Sequence, residues 1–319
     1  MRIIVTGTLS YDYIMDFPGR FADRIMPDKI HTISLSFLVD RLHKQLGGTA
    51  GNIAYTLTLL GCDARIVSVA GNDFGPYKQF LKSHHIDISQ IVEIRRVPTS
   101  SYFVITDRDN NQIGSFYLGA TKFAKTLSIA QALISDKKIQ HEPFIVISPT
   151  DPAAMMQYTA ECIEHKFKYL YDPAFQVDLI SPEGMTDAVS HAQILIGNDY
   201  EITLIEKKLA VSHEELILMV PVLVTTLGAQ GSVVETPSQA IHIKPAKPAS
   251  GSDPTGAGDA YRAGFLAGYT RGLDLITCAQ IGSTAAVYTV EKYGTMTHSF
   301  TRSDFIIRYR ENYGTDLRL

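Results

Sequence analysis

The strongest chemical signal in the sequence is a glycine-rich segment near the C-terminus, Asp253-Pro254-Thr255-Gly256-Ala257-Gly258-Asp259. A helical pattern follows it, so these glycines open a helix whose first N–H groups lack acceptors within the helix. Together with the positive end of the helix dipole, such donors suit an anion, and we predict an anion hole formed by Gly256, Ala257 and Gly258. Asp259 in the same turn is predicted to be a general base that accepts the proton of an attacking hydroxyl. The plainer alternative is an acid favoured by the dipole, with glycines that serve tight packing.

A second glycine motif, Gly47-Gly48-Thr49-Ala50-Gly51-Asn52, lies at the start of an early helix. Two adjacent glycines let the backbone approach a polyol closely, and the Asn52 side chain carries both donors and an acceptor. Asp12, just after the first predicted strand, offers further acceptors for hydroxyl groups. A loop before a helix and a turn or capping residue are the ordinary alternatives at these positions.

Taken together, the two motifs resemble the paired signatures of the ribokinase-like (PfkB) kinases, an N-terminal GGxxxN and a C-terminal DxTGAGD. Two further stretches fall in the order that this family shows. Asn198-Asp199-Tyr200-Glu201 is similar to its NxxE element, and Thr225-Thr226-Leu227-Gly228-Ala229-Gln230-Gly231 is similar to its nucleotide-binding strand and turn. The resemblance spans nearly the whole chain and implies an ATP-dependent phosphotransferase.

The resemblance also implies where cofactors bind. Asn198 and Glu201 would orient the water molecules of Mg2+, a cation that prefers to keep its hydration. The same spacing is also that of a helix capping box. A monovalent cation such as K+ would bind near Asp253 and the loop Tyr293-Gly294-Thr295. The residues implied to contact ATP are Thr226, Gly228 and Gly231; a strand end followed by a turn is the plainer alternative, in which Gly231 serves only turn geometry.

Within the family, the likeness is greatest to bacterial adenosine kinases, through segments 17–21, 34–40 and 111–117. On that resemblance, Gln176 hydrogen-bonds the edge of the base. The ribose is held by Thr8, Asp12, Gly48 and Asn52. The purine, whose face stacks on aromatic rings, is flanked by Tyr102 and Phe116. Packing inside a small β core is the alternative for both rings. The chain departs from these kinases at Asp172-Pro173-Ala174-Phe175-Gln176, where an aromatic residue stands among polar ones.

The sequence therefore predicts transfer of the ATP γ-phosphoryl group to the 5′-hydroxyl of adenosine. The nearest alternative is another kinase of the same family, acting on ribose, a different nucleoside or a sugar phosphate. A sugar phosphate needs cations around its anion, and the cations close to the substrate-side segments are Lys29, Arg95, Arg96 and Lys122. A catalytically idle nucleotide-binding module is a second alternative. A dehydrogenase is disfavoured, because no GxGxxG follows the first strand.

Strand and helix patterns alternate through most of the chain and must position these residues. Short apolar runs predict strands buried on both faces at 3–7, 64–70, 144–148, 169–171, 194–196 and 222–226. Helical spacing is present at 50–60, 152–165, 199–209, 256–269 and 275–293. This alternation predicts an α/β fold, with a doubly wound, mostly parallel sheet and helices on both faces.

Two kinds of insertion depart from that alternation. The pair 101–106 and 113–118, joined by a polar turn, predicts a hairpin that leaves the main sheet, and 232–235 with 240–243 predicts another at a sheet edge. We expect inserted segments at about 12–44 and 97–120 to form a small β lid over the carboxyl ends of the strands, where such sheets bind ligands. Residues 1–319 would then form a single ribokinase-like domain.

Composition excludes several classes of function. The 319 residues are 45% hydrophobic with a net charge of −4, and no run of Lys or Arg marks a nucleic-acid partner. The apolar run after Arg2 is too short for a signal sequence or a membrane span, so we expect a cytoplasmic protein without a membrane partner. The three cysteines show no metal-site spacing. The expected partner is a small-molecule substrate, and a homodimer is left open.

Overall fold

The computed structural model describes residues 1–32, 34–109, 111–134, 142–251 and 253–318. The strands in these ranges are β1 (Arg2–Thr6), β2 (Ser10–Asp16), β3 (Arg41–Gly47), β4 (Asp63–Gly71), β5 (Asp87–Ile94), β6 (Ser100–Thr106), β7 (Gln112–Tyr117), β8 (Phe144–Ile147), β9 (Lys168–Tyr171), β10 (Ile194–Asn198), β11 (Leu223–Thr226), β12 (Ser232–Thr236) and β13 (Gln239–Ile243). The α-helices are α1 (Thr49–Leu59), α2 (Gly75–Ser83), α3 (Ile129–Ile134), α4 (Pro152–His165), α5 (Pro182–Ser190), α6 (Asp199–Leu209), α7 (His213–Met219), α8 (Ala257–Tyr269), α9 (Leu275–Val290) and α10 (Arg302–Tyr313).

The described strands form a nine-stranded main sheet in the order β13-β12-β11-β10-β9-β8-β1-β4-β5. Neighbours from β11 to β5 pair in parallel, whereas β12 and β13 are antiparallel and close one edge. Every apolar run predicted as a strand is a parallel strand here, because strands covered on both faces need continuous apolar side chains. The predicted doubly wound sheet is confirmed.

Helices cover both faces of the main sheet, because alternate residues of a strand point to opposite faces. On β1, Ile3 and Val5 pack in one apolar cluster with residues of α1, α8 and α9, whereas Ile4 packs in another with residues of α4, α5 and α6. Helices α8 and α9 approach each other closely, since a Cβ on Gly264 would lie 2.7 Å from the Gly282 Cα. Of the helices in the described ranges, none is long and apolar enough to cross a bilayer.

A second, small sheet has the strand order β3-β2-β6-β7. The predicted hairpin is β6 with β7, and the segment around 12–44 supplies β2 and β3. Strand β2 pairs in parallel with β6, so that Asp12 lies beside Tyr102, and Tyr102 lies beside Phe116 of β7. Three residues predicted to bind substrate therefore form one row across one face of the small sheet.

The main sheet and its helices differ in some details from the sequence prediction. Helix α9 ends at Val290, before the predicted 293, and a loop follows it. Strand β5 was not predicted, because it lies at the sheet edge, where its half-exposed residues mix apolar and polar types.

His298, in the loop after α9, contacts the side chains of two helices. Its Nε2 lies 3.2 Å from Thr56 Oγ1 of α1, and its Nδ1 lies 3.3 Å from Thr289 Oγ1 of α9. The side chain is buried, and burial lowers the pKa of the imidazole to about 4. The folded protein therefore holds this histidine neutral at physiological pH.

We expect His298 to make the protein acid-sensitive. In the unfolded chain the imidazole titrates near pH 6.5, so below that pH the unfolded state binds a proton that the folded state excludes until about pH 4. The free energy of unfolding should fall across this window by roughly 3 kcal/mol, and His298→Gln should remove that loss. Urea unfolding of both proteins at neutral pH and at about pH 4 measures the difference, and equal losses would contradict the assignment.

Candidate active site

The candidate site lies at the carboxyl ends of the parallel strands, where two cavities border the start of α8. The small-sheet cavity, of about 430 Å³, lies between the small sheet and α8. Its wall contains eight residues predicted for catalysis or substrate binding, namely Thr8, Asp12, Gly48, Asn52, Tyr102, Phe116, Gly256 and Asp259. The α9 cavity, of about 510 Å³, is bounded by Ala257, Gly258 and residues of α9.

Asp12 is the acidic residue that the small sheet contributes to its cavity. Ser10 Oγ donates to Asp12 Oδ1 over 3.0 Å, and the Asp12 side chain is buried. Burial raises the pKa of the Asp12 carboxyl to about 6. The Ser10 hydrogen bond lowers this pKa, and the negative charge of Asp259 raises it further. A Cβ on Gly47 would collide with this carboxylate, so the first glycine of the motif provides space.

Gly48 and Thr8 bring main chain to the edge of the same cavity. Gly48 has a φ of +91° and turns the chain into α1 so close to the Thr8 carbonyl that a Cβ would collide with it. Thr8 Oγ1 donates to the Pro149 carbonyl over 2.8 Å. The Thr8 hydroxyl is therefore engaged as a donor and can serve a ligand only as an acceptor.

A hydrogen bond joins the two glycine motifs, since Asn52 Nδ2 donates to Asp259 Oδ2 over 2.7 Å. Asn52 Oδ1 is buried and has no hydrogen-bond partner within the described residues, which leaves it to accept from a ligand in the cavity. Burial raises the pKa of the Asp259 carboxyl, and the charge of Arg262 and the Asn52 hydrogen bond oppose that rise. The bond therefore both orients and stabilises the ionised carboxylate.

The start of α8 differs in one respect from the predicted anion hole. Gly256 is the N-cap with a φ of +79°, and no side chain from the described part of the chain caps the helix. The Ala257 N–H donates to the Pro254 carbonyl over 3.1 Å and is thus engaged. The N–H groups that follow, on Gly258 and Asp259, are those that an α-helix leaves available at its first turn.

Aromatic rings form the end of the small-sheet cavity remote from α8. Tyr102 and Phe116 lie there as predicted, and Phe175 joins them with its ring centroid 6.3 Å from that of Phe116. Gln176 is not in the described wall of this cavity: it is buried, its Nε2 donates 2.8 Å to a main-chain carbonyl, and its Oε1 has no hydrogen-bond partner among the described residues, so its role at the base remains a prediction. Both residues belong to the 3-10 turn Ala174–Leu179, in which successive side chains point in different directions. Phe175, the aromatic residue by which the sequence departs from the adenosine kinases, is thus the residue of this turn that lines the cavity.

The α9 cavity contains the three residues predicted for ATP, namely Thr226, Gly228 and Gly231. The two glycines have φ values of +57° and +95° and shape the turn between β11 and β12. Ala257 and Gly258 of the predicted anion hole also line the cavity, whereas other wall residues were not predicted, among them Pro245, Ala246, Lys247, Pro248, Ala286, Val287 and Val290. Small apolar residues carry no signal of their own, since they line ligand cavities and ordinary cores alike.

Asn198 and Glu201 form the capping box of α6, which was the structural alternative at this motif. Asn198 Oδ1 accepts from the Glu201 N–H and Glu201 Oε2 accepts from the Asn198 N–H, each over 2.8 Å. Neither residue is in the described wall of the two cavities. Both lie at the carboxyl end of β10, on the sheet edge that carries the cavities.

Asp253 organises the loop that leads into α8. Its Oδ1 accepts from the Thr255 N–H over 2.9 Å, and its Oδ2 accepts from the Gly294 N–H over 3.1 Å. Beside Gly294, Gln45 Oε1 is buried without a hydrogen-bond partner among the residues that the structure describes. The two segments named for a monovalent cation are therefore in direct contact.

A buried ion pair beneath the site, between Arg262 and Asp172, was not predicted. Arg262 Nε lies 2.5 Å from Asp172 Oδ2, and Arg262 Nη2 donates to Asp172 Oδ1 over 2.9 Å. Burial raises the pKa of the Asp172 carboxyl, and the guanidinium opposes that rise. One signal was available in the sequence, because Arg262 is the single charge in the apolar stretch 261–267 and a charge in such a place needs a partner.

This sheet, with its glycine-rich helix start between two cavities, defines a ribokinase-like phosphotransferase that acts on a hydroxyl group. The chain belongs to the PfkB family of carbohydrate kinases, whose family model matches residues 8–302. The family and the fold predicted from the sequence are confirmed.

Comparison with individual proteins shows nucleoside kinases among the similar ones. The chain is 32% identical to a nucleoside kinase of Methanothermobacter thermautotrophicus over 98% of this chain and 96% of that protein. It is 30% identical to a nucleoside kinase of Methanocaldococcus jannaschii over 93% of each. The structure of Burkholderia thailandensis nucleoside kinase in complex with inosine matches with a TM-score of 0.88 at 29% identity, over 98% of this chain and 99% of that one. The likeness to bacterial adenosine kinases remains a prediction.

Proposed function

We propose that the protein is an ATP-dependent nucleoside kinase that phosphorylates the 5′-hydroxyl of adenosine. The proposal depends on one observation, that two cavities border the start of α8, with Asp259 in one wall and Gly258 in the other. Such an arrangement lets an acceptor hydroxyl and a phosphoryl donor approach the same helix end from two sides. Similarity to nucleoside kinases over nearly the full chain supports a nucleoside acceptor.

The small-sheet cavity suits a nucleoside in the chemistry of its two ends. Near α8, the Asp12 carboxylate and Asn52 Oδ1 accept hydrogen bonds from the ribose hydroxyls, and Gly48 and Thr8 bring main chain close to the sugar. At the other end, the purine lies against the rings of Tyr102, Phe116 and Phe175. The small sheet then covers the bound nucleoside, in the lid role expected from the sequence.

Asp259 is the general base of the proposed reaction. Its carboxylate accepts the proton of the 5′-hydroxyl as that oxygen bonds to the γ-phosphorus of ATP, while the bond from this phosphorus to the β–γ bridging oxygen breaks and ADP leaves. The N–H groups of Gly258 and Asp259 and the helix dipole stabilise the charge on the transferred group. The Asn52 hydrogen bond holds the carboxylate in place during transfer.

The α9 cavity is the proposed ATP site. The 228–231 turn lets the phosphate chain pass close to the backbone, Thr226 lies at the end of β11, and apolar residues of α9 pack against the adenine. Asn198 and Glu201 would hold Mg2+ through water, and their chemistry fits, because Glu201 Oε1 lies outside the capping box and can accept from a bound water. When bound, Mg2+ neutralises charge on the phosphates.

A monovalent cation such as K+ is proposed at the loop between Asp253 and Gly294. The buried Gln45 Oε1 beside Gly294 supports it, because an orphaned oxygen is the kind of ligand such a cation takes. Both Asp253 oxygens already accept main-chain N–H bonds, so this carboxylate would contribute its charge.

Ribose, another nucleoside and a sugar phosphate are the alternative acceptors. The described wall of the small-sheet cavity contains no Lys or Arg, which a sugar phosphate would need beside its anion. Ribose alone would leave the aromatic end of the cavity unfilled. These features favour a nucleoside.

Phosphoryl transfer from labelled ATP to adenosine, inosine, cytidine, ribose and fructose 6-phosphate separates these acceptors. We expect adenosine to show the highest kcat/KM, because the aromatic rings and the ribose-binding residues are then all in use. A higher kcat/KM for another acceptor would replace adenosine in the proposal. Absence of transfer to every acceptor would favour an idle nucleotide-binding module.

We expect Asp259→Asn to lower kcat by about 100- to 10,000-fold with little change in ATP affinity, because a general base acts mainly in the transition state. Asp12→Asn is the matched control, since it removes a second carboxylate from the same wall. It should raise KM for adenosine more than it lowers kcat. Steady-state kinetics with each substrate varied measures both effects, and near-normal kcat in Asp259→Asn would exclude the proposed base.

We expect Phe175→Ala to raise KM for adenosine by about tenfold or more, because a base stacked on an aromatic ring gains roughly 1–3 kcal/mol. KM for ribose, which has no base, should not change. Phe103→Ala is the matched control, because Phe103 follows Tyr102 on β6 and points to the opposite face of the small sheet, where its ring stacks 4.8 Å from that of Tyr13. Equal effects of the two substitutions on adenosine kinetics would argue against stacking at Phe175.

A further inference from the structure

Arg262 lies one turn into α8, and its side chain reaches back to the helix start, as helical side chains lean towards the N-terminus. A Cβ on Gly258 would lie only 2.6 Å from Arg262 Nη1. Gly258 does not adopt a left-handed φ, so this need for space, rather than backbone freedom, explains the glycine. The guanidinium therefore packs directly against the turn that is proposed to bind the phosphoryl group.

Carboxylates from three elements lie around this guanidinium. Asp172, which follows β9, accepts a hydrogen bond from Nη2 and has its Oδ2 2.5 Å from Nε as an ion pair, and Glu201 of α6 has its Oε2 3.9 Å from Nη2. The positive charge of Arg262 also stabilises the ionised form of Asp259, whereas the negative charge of Glu201 acts against it. The Arg262 guanidinium thus interacts with Asp172 at the end of β9, with Glu201, which is proposed to hold hydrated Mg2+, and through its charge with Asp259, the proposed base.

We infer that Arg262 is a positioning residue for phosphoryl transfer, whose planar fork fixes Asp172 and Glu201 against the first turn of α8 and so sets where Asp259 and the turn's N–H groups stand. This inference rests on the proposed kinase function. Arg262 is not in the described wall of either cavity, so it acts through these neighbours rather than by touching a substrate. Its loss therefore lowers kcat and leaves KM largely unchanged.

Arg65 is a second buried arginine, and its ion pair has a structural role away from the candidate site. Arg65 of β4 places its Nε 2.8 Å from Asp87 Oδ2 of β5, and neither residue borders the two cavities in the described part of the chain. This pair joins two strands at the edge of the main sheet. It is the matched control for the pair at the site.

The decisive variant is Arg262→Met with Asp172→Asn. Arg262→Met alone leaves the Asp172 carboxylate buried and uncompensated, which destabilises the fold, whereas the double variant leaves neither partner charged and should recover most of the lost melting temperature. We expect its kcat to be about 100-fold below wild type, the cost of a site displaced by about 1 Å. KM for adenosine and for ATP should stay within about threefold. Arg65→Met with Asp87→Asn should keep the wild-type kcat.

Arg262→Lys is the second variant, because it keeps the charge and does not depend on a recovered fold. Lysine cannot form the planar fork, so we expect kcat about tenfold below wild type with unchanged KM. A wild-type kcat in either the double variant or the lysine variant would overturn the inference and leave the kinase proposal standing. A wild-type protein that transfers phosphate to no acceptor of the panel would instead remove the proposed function, and this inference with it.

Discussion

The hydrogen bond from Asn52 Nδ2 to Asp259 Oδ2 is the contact on which the rest of the site depends. It joins the first turns of α1 and α8, which are 207 residues apart in the sequence and lie on the same face of the main sheet. Because both side chains are buried, leaving either the amide or the carboxylate without its partner would destabilise the folded protein. The two helix starts are therefore held in one relative position, with Asn52 and Asp259 side by side in the wall of the small-sheet cavity.

Negative charge is concentrated at this edge of the sheet. Burial raises the pKa of Asp12, Asp172 and Asp259 alike, so the ionised carboxylates depend on partners that offset the loss of water. The fold supplies a hydroxyl to Asp12, a guanidinium to Asp172 and an amide to Asp259. This charge balance suits a phosphoryl donor that arrives with its own divalent cation.

Local patterns predicted the main elements well, because the apolar residues of buried strands and amphipathic helices recur within a few positions. The predicted segments 152–165 and 199–209, for example, coincide with α4 and α6. Most of the site was predictable for the same reason, since both glycine motifs are continuous in sequence. Phe175 was not predicted to line the cavity, because a one-residue step in a 3-10 turn exchanges inward and outward side chains and no sequence period shows which residue faces the cavity. The Arg262–Asp172 pair spans 90 residues, a separation that no single segment can reveal.

Different residues of one helix start line the two cavities, with Gly256 and Asp259 in one wall and Ala257 and Gly258 in the other. Under the proposed function, the nucleoside and the nucleotide would therefore contact this helix start through different residues. The two ligands would then come together at the first turn of α8, where the acceptor oxygen and the transferred phosphoryl group must meet.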